Sequence, residues 1–211
     1  YELPKLRLII KENGDFTGAI GSTPPGTPAY LDGPHGSFTI DPEAKSIVLI
    51  AGGVGVAPIL SILHSLAHDR FAGPIALLVA TRNERDQIFM REVEDLSGRL
   101  NVRTMFVVER PSANWSGERG RIDEPKLRQL LSRMPTDRAE VLICGPLPMM
   151  ETASILLLRL GLFTSQLRYE RFDYHQGFDP KSRAMRQRFL LLLGISGGLV
   201  LLTAAAGAYF S

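Results

Sequence analysis

Two rhythms divide this chain. Up to about residue 42, apolar residues recur at near-alternating intervals broken by turn formers: Leu6 to Lys11, a Gly14-Asp15 turn, a Pro24-Pro25-Gly26 loop, then Ala29-Tyr30-Leu31. A period near two predicts short strands of an antiparallel sheet. From Ser46 the pattern changes to short runs suited to buried strands, alternating with amphipathic segments. The runs 46–51, 75–80, 102–108, 140–144 and 166–172 predict five strands, and the segments near 56–68, 87–96, 124–134 and 148–160 predict the helices between them. Strands buried on both faces read as continuous apolar runs, and strict alternation with helices requires right-handed crossovers. The expectation is an α/β fold with a doubly wound, five-stranded parallel sheet. Asp123, just before Glu124-Pro125, suits the N-cap of one helix.

A third pattern closes the chain. Phe189 to Phe210 is uncharged and mostly apolar, and roughly 20 such residues is the length that a membrane-crossing helix requires. Lys181, Arg183, Arg186 and Arg188 precede it and nothing charged follows, which orients the preceding residues to the cytoplasmic side. Gly194 and Gly198, four apart, offer a close helix–helix contact. The expectation is one transmembrane helix over 189–210, in contact with membrane lipid, after a basic linker over 175–188.

Composition narrows the chemistry. With 211 residues, 45% hydrophobic and 22% charged, the chain is a folded protein, and its net charge of +2 gives no footprint for nucleic acid. A lone cysteine, Cys144, excludes a disulfide framework and any thiolate-built iron–sulfur or zinc cluster within this chain. Of the four histidines, His64 and His68 share a helix face without a third ligand, so no metal site is expected.

In an open parallel sheet the ligand sits at the carboxyl ends of the strands. After the first strand come Gly52, Gly53, Val54 and Gly55, then Pro58 in the first turn of a helix. Glycines let backbone N–H groups approach an anion, the helix directs its positive end to the same place, and a first-turn proline lacks only an N–H that would be unpaired there. A nucleotide phosphate is the expected ligand of this turn. After the second strand come Thr81, Arg82, Asn83, Glu84 and Arg85; after the 140–144 strand come Cys144, Gly145, Pro146, Leu147, Pro148 and Met149.

Five segments in order resemble the ferredoxin–NADP reductase superfamily, most closely its membrane branch of ferric reductases and NADPH-oxidase-like proteins. They are Lys11-Glu12-Asn13-Gly14-Asp15-Phe16-Thr17, Asp32-Gly33-Pro34-His35-Gly36-Ser37-Phe38, Gly52-Gly53-Val54-Gly55-Val56-Ala57-Pro58, Cys144-Gly145-Pro146 and Tyr169-Glu170-Arg171-Phe172. The resemblance covers residues 1 to about 174. It implies that 1–42 is the C-terminal part of an FAD-binding β domain and 43–174 an NAD(P)-binding domain, with hydride passing from NAD(P)H to FAD between them. Such a reaction needs two ring systems held in near contact and away from water more than it needs acid–base groups.

Residue by residue, the resemblance assigns Gly52, Gly53, Val54, Gly55 and Pro58 to the pyrophosphate, and Thr81 and Arg82 to the adenosine ribose. A guanidinium forks onto a 2′-phosphate, so Arg82, with Arg85 beside it, favours NADPH, while Glu84 argues the other way. Cys144 approaches the nicotinamide as a packing and positioning group, with Gly145, Pro146 and Met149 shaping the entry. Gly33, Pro34, His35, Gly36 and Ser37 fall at the junction of flavin and nicotinamide, where an aromatic is more usual than His35. Phe172 reads either as the aromatic beside the isoalloxazine or as a core phenylalanine. Trp115 reads as packing. Ser37, Cys144 and Phe172 are thus the candidate catalytic residues.

Two departures from the family bear on these expectations. The family's Arg/His-Pro-Phe-Ser/Thr strand, which holds the isoalloxazine and FAD phosphate, lies before the region where this sequence opens at Tyr1, so the resemblance implies half a flavin site in the 211 residues, which are expected to bind FAD poorly by themselves. The 189–210 span has no histidine and supplies no haem ligand. The resulting expectation is a membrane-anchored reductase, these residues being a fragment of a longer chain, whose electrons leave for haem, ferric chelate, dioxygen or quinone. The alternative is a non-catalytic, nucleotide-binding membrane module that kept the fold and lost the flavin.

Overall fold

A computed structural model describes residues 6–171 apart from 13, 34 and 88, all within the compact unit Tyr1–Asp173. The linker and span expected over 175–188 and 189–210 lie outside the described residues. No helix among the described residues is long and apolar enough to cross a membrane.

The N-terminal part differs from its alternation. Among the described residues before Ser46 there is no strand; Asp15–Ala19 form a short helix, α1, which runs into one 3₁₀ turn at Ile20–Ser22. Alternation marks residues suited to a pleated surface, but a strand exists only by pairing, and no described segment ladders with 6–12 or 29–31. Leu6, Leu8, Tyr30 and Leu31 are accordingly exposed. The expected Gly14-Asp15 turn is instead a helix start, with Gly14 at φ 89° bending the chain into α1. Ile9, Phe38, Ile40 and Ala44 attach this region by packing on the sheet.

The remainder is the doubly wound sheet, with six strands in place of five. In chain order they are β1 (Ser46–Gly52), β2 (Ile75–Thr81), β3 (Val102–Val108), β4 (Glu118–Arg119), β5 (Ala139–Gly145) and β6 (Leu167–Arg171), all parallel, in the spatial order β4-β3-β2-β1-β5-β6. The extra strand, β4, is two polar residues against Val107 and Val108. It has no apolar run to announce it. Between the strands lie α2 (Val56–His68), α3 (Met90–Ser97), α4 (Glu124–Leu131) and α5 (Leu147–Arg159). α3 starts three residues later than expected because Asn83 and Asp86 cap each other and spend 84–86 in a 3₁₀ turn.

Alternation along the buried strands sorts the core into two layers. Leu49, Ala51, Leu77, Leu142 and Cys144 face α2 and α3; Val48, Ile50, Leu78, Val141 and Ile143 face α4 and α5. Each fully buried Leu or Ile is worth about 1.5–3 kcal/mol, so these layers hold the carboxyl ends of β1 and β5 in fixed register, with Ala51 opposite Cys144.

Candidate nucleotide site

The chain reverses direction of winding between β1 and β5, and this switch point is where the strongest sequence motifs meet. β1 ends at Gly52, passes through a single turn at Gly53–Gly55, and enters α2 with Pro58 as its third residue. β5 ends at Gly145, and Pro146 leads directly into α5. Neither helix has a side-chain cap on its first N–H groups, so two positive helix ends open at one place.

The glycines have distinct jobs. Gly53 is exposed at φ +54°, and a Cβ there would touch nothing. It is required by backbone conformation, and the space above it is open to a ligand. Gly55 is buried against β5: a Cβ would overlap the Cys144 carbonyl and lie 2.9 Å from Gly145 N. Likewise a Cβ on Gly52 would strike the Met149 sulfur and stand 2.9 Å from Pro146 Cδ, and one on Gly145 would stand 3.0 Å from Gly52 Cα. The two strand ends are in backbone contact. Their uncapped N–H groups and open cradle suit a pyrophosphate by geometry as well as charge.

Cys144 is fully buried, and burial, followed by the charge of Glu170, pushes its thiol up to about 12. Glu170 is its register partner on β6. At neutral pH the sulfur is a protonated, uncharged packing group, which fits positioning and not nucleophilic attack.

The loops after β2 and β3 form the second part of the site. Thr81 is buried and its hydroxyl donates to the Asn83 carbonyl at 2.9 Å, so it shapes the loop from inside. Arg82 and Arg85 are exposed. Arg110 N donates to the Arg82 carbonyl at 2.9 Å, which joins the two loops. Glu109 is paired with Arg121 at 2.9 Å; that hydrogen bond, opposed by burial and helped by the charges of Arg121, Arg110 and Arg82, keeps its carboxyl below the usual range. Glu84 accepts from Ser112 N at 2.5 Å and is thereby tied to the loop. Trp115 donates from Nε1 to the Glu118 carbonyl at 3.0 Å, in keeping with packing.

Residues 49–154 match the oxidoreductase NAD-binding domain family. The chain belongs to that family, and through it to the ferredoxin–NADP reductase superfamily. It is 35% identical over 148 residues to a flavohemoprotein of Rhodopirellula baltica, covering 67% of this chain and 36% of that one. It is 30% identical over 172 residues to the xylene/toluene monooxygenase electron transfer component XylA of Pseudomonas putida, covering 79% and 47%. Among solved structures, the CS-b5R domains of human Ncb5or in the NAD⁺ form share 27% identity with a TM-score of 0.61, over 77% of this chain and 47% of that one. The flavohem-like FAD/NAD-binding domain of a Vibrio cholerae nitric oxide dioxygenase shares 27% with a TM-score of 0.58, over 65% and 55%. The chain therefore spans less than half the length of these two curated relatives.

Not all expected site residues of this NAD-binding domain converge. The structure brings together Gly52, Gly53, Gly55, Cys144, Gly145, Pro146 and Met149; Val54 and Pro58 lie in the same turn and helix start. Gly33, His35, Gly36 and Ser37 sit on an exposed loop, where His35 pairs with Asp32 at 3.1 Å. Pro34 and Phe172 lie outside the described residues. Sequence reading passed over Arg110, Arg121 and Glu170. Arg110 stands just after the end of β3, as Arg82 does after β2, and that position is its signal; Arg121 follows β4, which no apolar run announces, and Glu170 lies within the closing Tyr169-Glu170-Arg171-Phe172 segment.

Proposed function

We propose that this protein is a flavoprotein reductase that takes hydride from NAD(P)H, passes it to FAD, and sends electrons singly to a haem, ferric or other acceptor. The observation that carries the reading is the switch point: two uncapped helix ends and the open Gly53 beside the buried, neutral Cys144. Gly53–Gly55 and the α2 N-terminus would hold the pyrophosphate, while Pro146 and Met149, the latter packed on Gly145 with Cys144 buried beneath, would form the surface against which the nicotinamide lies. A dry, uncharged floor at that point favours ring contact and excludes water. FAD, when bound, supplies the conversion of a two-electron hydride into single-electron transfers. Ser37, the Gly33–Gly36 loop and Phe172 are its proposed contacts on this chain.

NADPH is the preferred donor in this reading. Arg82 and Arg110 stand on joined loops, and Glu84, the residue that argued against a 2′-phosphate, is engaged by Ser112 N. The ferric reductase and NADPH-oxidase likeness, with ferric chelate, dioxygen or quinone as acceptors, belongs to the same proposal. So do anchorage through 189–210 and a cytoplasmic reductase domain, supported by the apolar run and the arginines before it. Resistance of the membrane-bound protein to alkaline carbonate extraction tests the anchor.

The activity is tested by anaerobic stopped-flow mixing of NADPH with the full-length, FAD-loaded protein, in which the flavin site is complete. Bleaching of the flavin absorbance is expected, and an unchanged spectrum refutes the reading.

A further inference from the structure

Glu140 is a carboxylate away from the switch point whose side chain is only 8% exposed. It is the second residue of β5, at the end opposite Cys144. Its two oxygens serve two different parts of the chain. Oε2 accepts from the main-chain N–H of Asp41 at 2.7 Å, and Oε1 faces Arg168 Nε on β6 at 2.5 Å, an ion pair without hydrogen-bond alignment. Asp41 itself lies in a turn closed by Ala44 N to the Asp41 carbonyl at 3.0 Å and by Glu43 N to Asp41 Oδ1 at 2.9 Å. By strand alternation Glu140 shares a face with Leu142 and Cys144, the face on which Phe38, Ile40 and Ala44 pack. Those apolar contacts hold the linker against the sheet; the carboxylate selects one N–H of it.

We propose that Glu140 is a positioning residue for hydride transfer. It pins the linker that carries the Gly33–Ser37 loop to the strand whose far end carries Cys144, and so sets where that loop stands relative to the nicotinamide floor. The inference rests on the reductase reading above. A β5 strand clamped in mid-sheet is a stiff ruler, with roughly 13 Å between Glu140 and Cys144, and hydride transfer is steep in the spacing of the reacting groups.

The test compares the full-length, FAD-loaded protein with its Glu140→Leu, Asp41→Pro and double Glu140→Gln/Arg168→Gln variants. Asp41→Pro deletes the N–H donor without touching the sheet, so it serves where a buried Leu prevents folding. The double variant keeps a neutral acceptor for Asp41 N–H and removes both charges. Three readouts are taken: hydrogen exchange of residues 31–44, NADP⁺ affinity, and the hydride-transfer rate. Glu140→Leu and Asp41→Pro are expected to speed exchange across 31–44 by about tenfold or more, leave NADP⁺ affinity unchanged, and slow hydride transfer by about tenfold or more. The double variant is expected to restore exchange and hydride transfer, with NADP⁺ affinity again unchanged. Unchanged exchange in both single variants overturns the proposal, as does parallel loss of NADP⁺ affinity and hydride transfer. Absence of hydride transfer in the parent protein refutes the reductase reading instead, and the exchange measurement then still decides whether Glu140 pins the linker.

Discussion

Gly55 is packed directly on the carbonyl of Cys144, so the glycine turn after β1 and the end of β5 share one van der Waals surface. Any side chain at Gly55 must part the two strand ends. Gly55→Ala is expected to lose about 1–3 kcal/mol of stability through overpacking, together with NADP⁺ binding. Gly53→Ala makes the contrasting case: its methyl meets no protein atom but enters the open cradle at a backbone angle that disfavours Ala, about 1–2 kcal/mol. Its thermal midpoint should fall less than its affinity. Thermal unfolding alongside NADP⁺ titration checks both, and equal effects on affinity and midpoint in Gly53→Ala would argue against a ligand cradle.

Charge at the β2 and β3 ends predicts a cofactor preference. Arg82 and Arg110 are linked through backbone, whereas Arg121 is already neutralised by Glu109. Arg82→Ala should therefore weaken adenosine 2′,5′-bisphosphate by roughly 10- to 100-fold, as loss of a charge-assisted hydrogen bond implies. Adenosine 5′-monophosphate should bind as before. Calorimetric titration of the two nucleotides decides; a uniform loss places Arg82 outside the 2′-phosphate site.

The Cys144 thiol gives a pH signature. Its value in the folded protein, about 12, lies above the ordinary 9.0. Between those values the unfolded chain releases a proton that the folded one retains, so the thiol's contribution is intact below pH 9 and declines as pH rises toward 12. Denaturant unfolding at a series of alkaline pH values should show a downward slope that Cys144→Ala flattens. The same burial makes the native thiol inert to iodoacetamide at neutral pH, and rapid alkylation of the folded protein would contradict it.

How much of this was legible in the sequence follows from what each feature needs. β1, β2 and β5 are buried on both faces, so their apolar runs mark them to within a residue or two, β3 is marked by its apolar second half, and the glycines after β1 mark the candidate site. β4 depends on pairing alone and carries no such mark. The alternation at 6–12 was misleading for the complementary reason, since residues fit for a strand form none without a neighbour. Glu140 and Arg168 read as ordinary strand-end charges; that one is buried and reaches Asp41 emerges only when three distant segments are brought together. Arg110 is tied to the site by the bond from its N–H to the Arg82 carbonyl, a contact between two loops that no local pattern encodes.

Asp123, read from the sequence as a cap, supplies a last test that separates geometry from charge. Its Oδ1 accepts from Lys126 N at 3.0 Å at the start of α4, and its Oδ2 meets Lys126 Nζ. Burial works to raise its carboxyl, yet the bonds and charge of Lys126 together hold it below the ordinary 3.8. A depressed acid stabilises the fold above its unfolded value and loses that contribution as pH falls through the folded one. Asp123→Ala removes both cap and charge and should cost about 1 kcal/mol at neutral pH. Asp123→Asn keeps a capping oxygen, so it should stay near the parent at neutral pH while its stability declines less below pH 3.8. Denaturant midpoints at neutral and acid pH distinguish the two variants, and an Asn variant as weak as Ala at neutral pH would assign the helix start to the Lys126 ion pair instead of the cap.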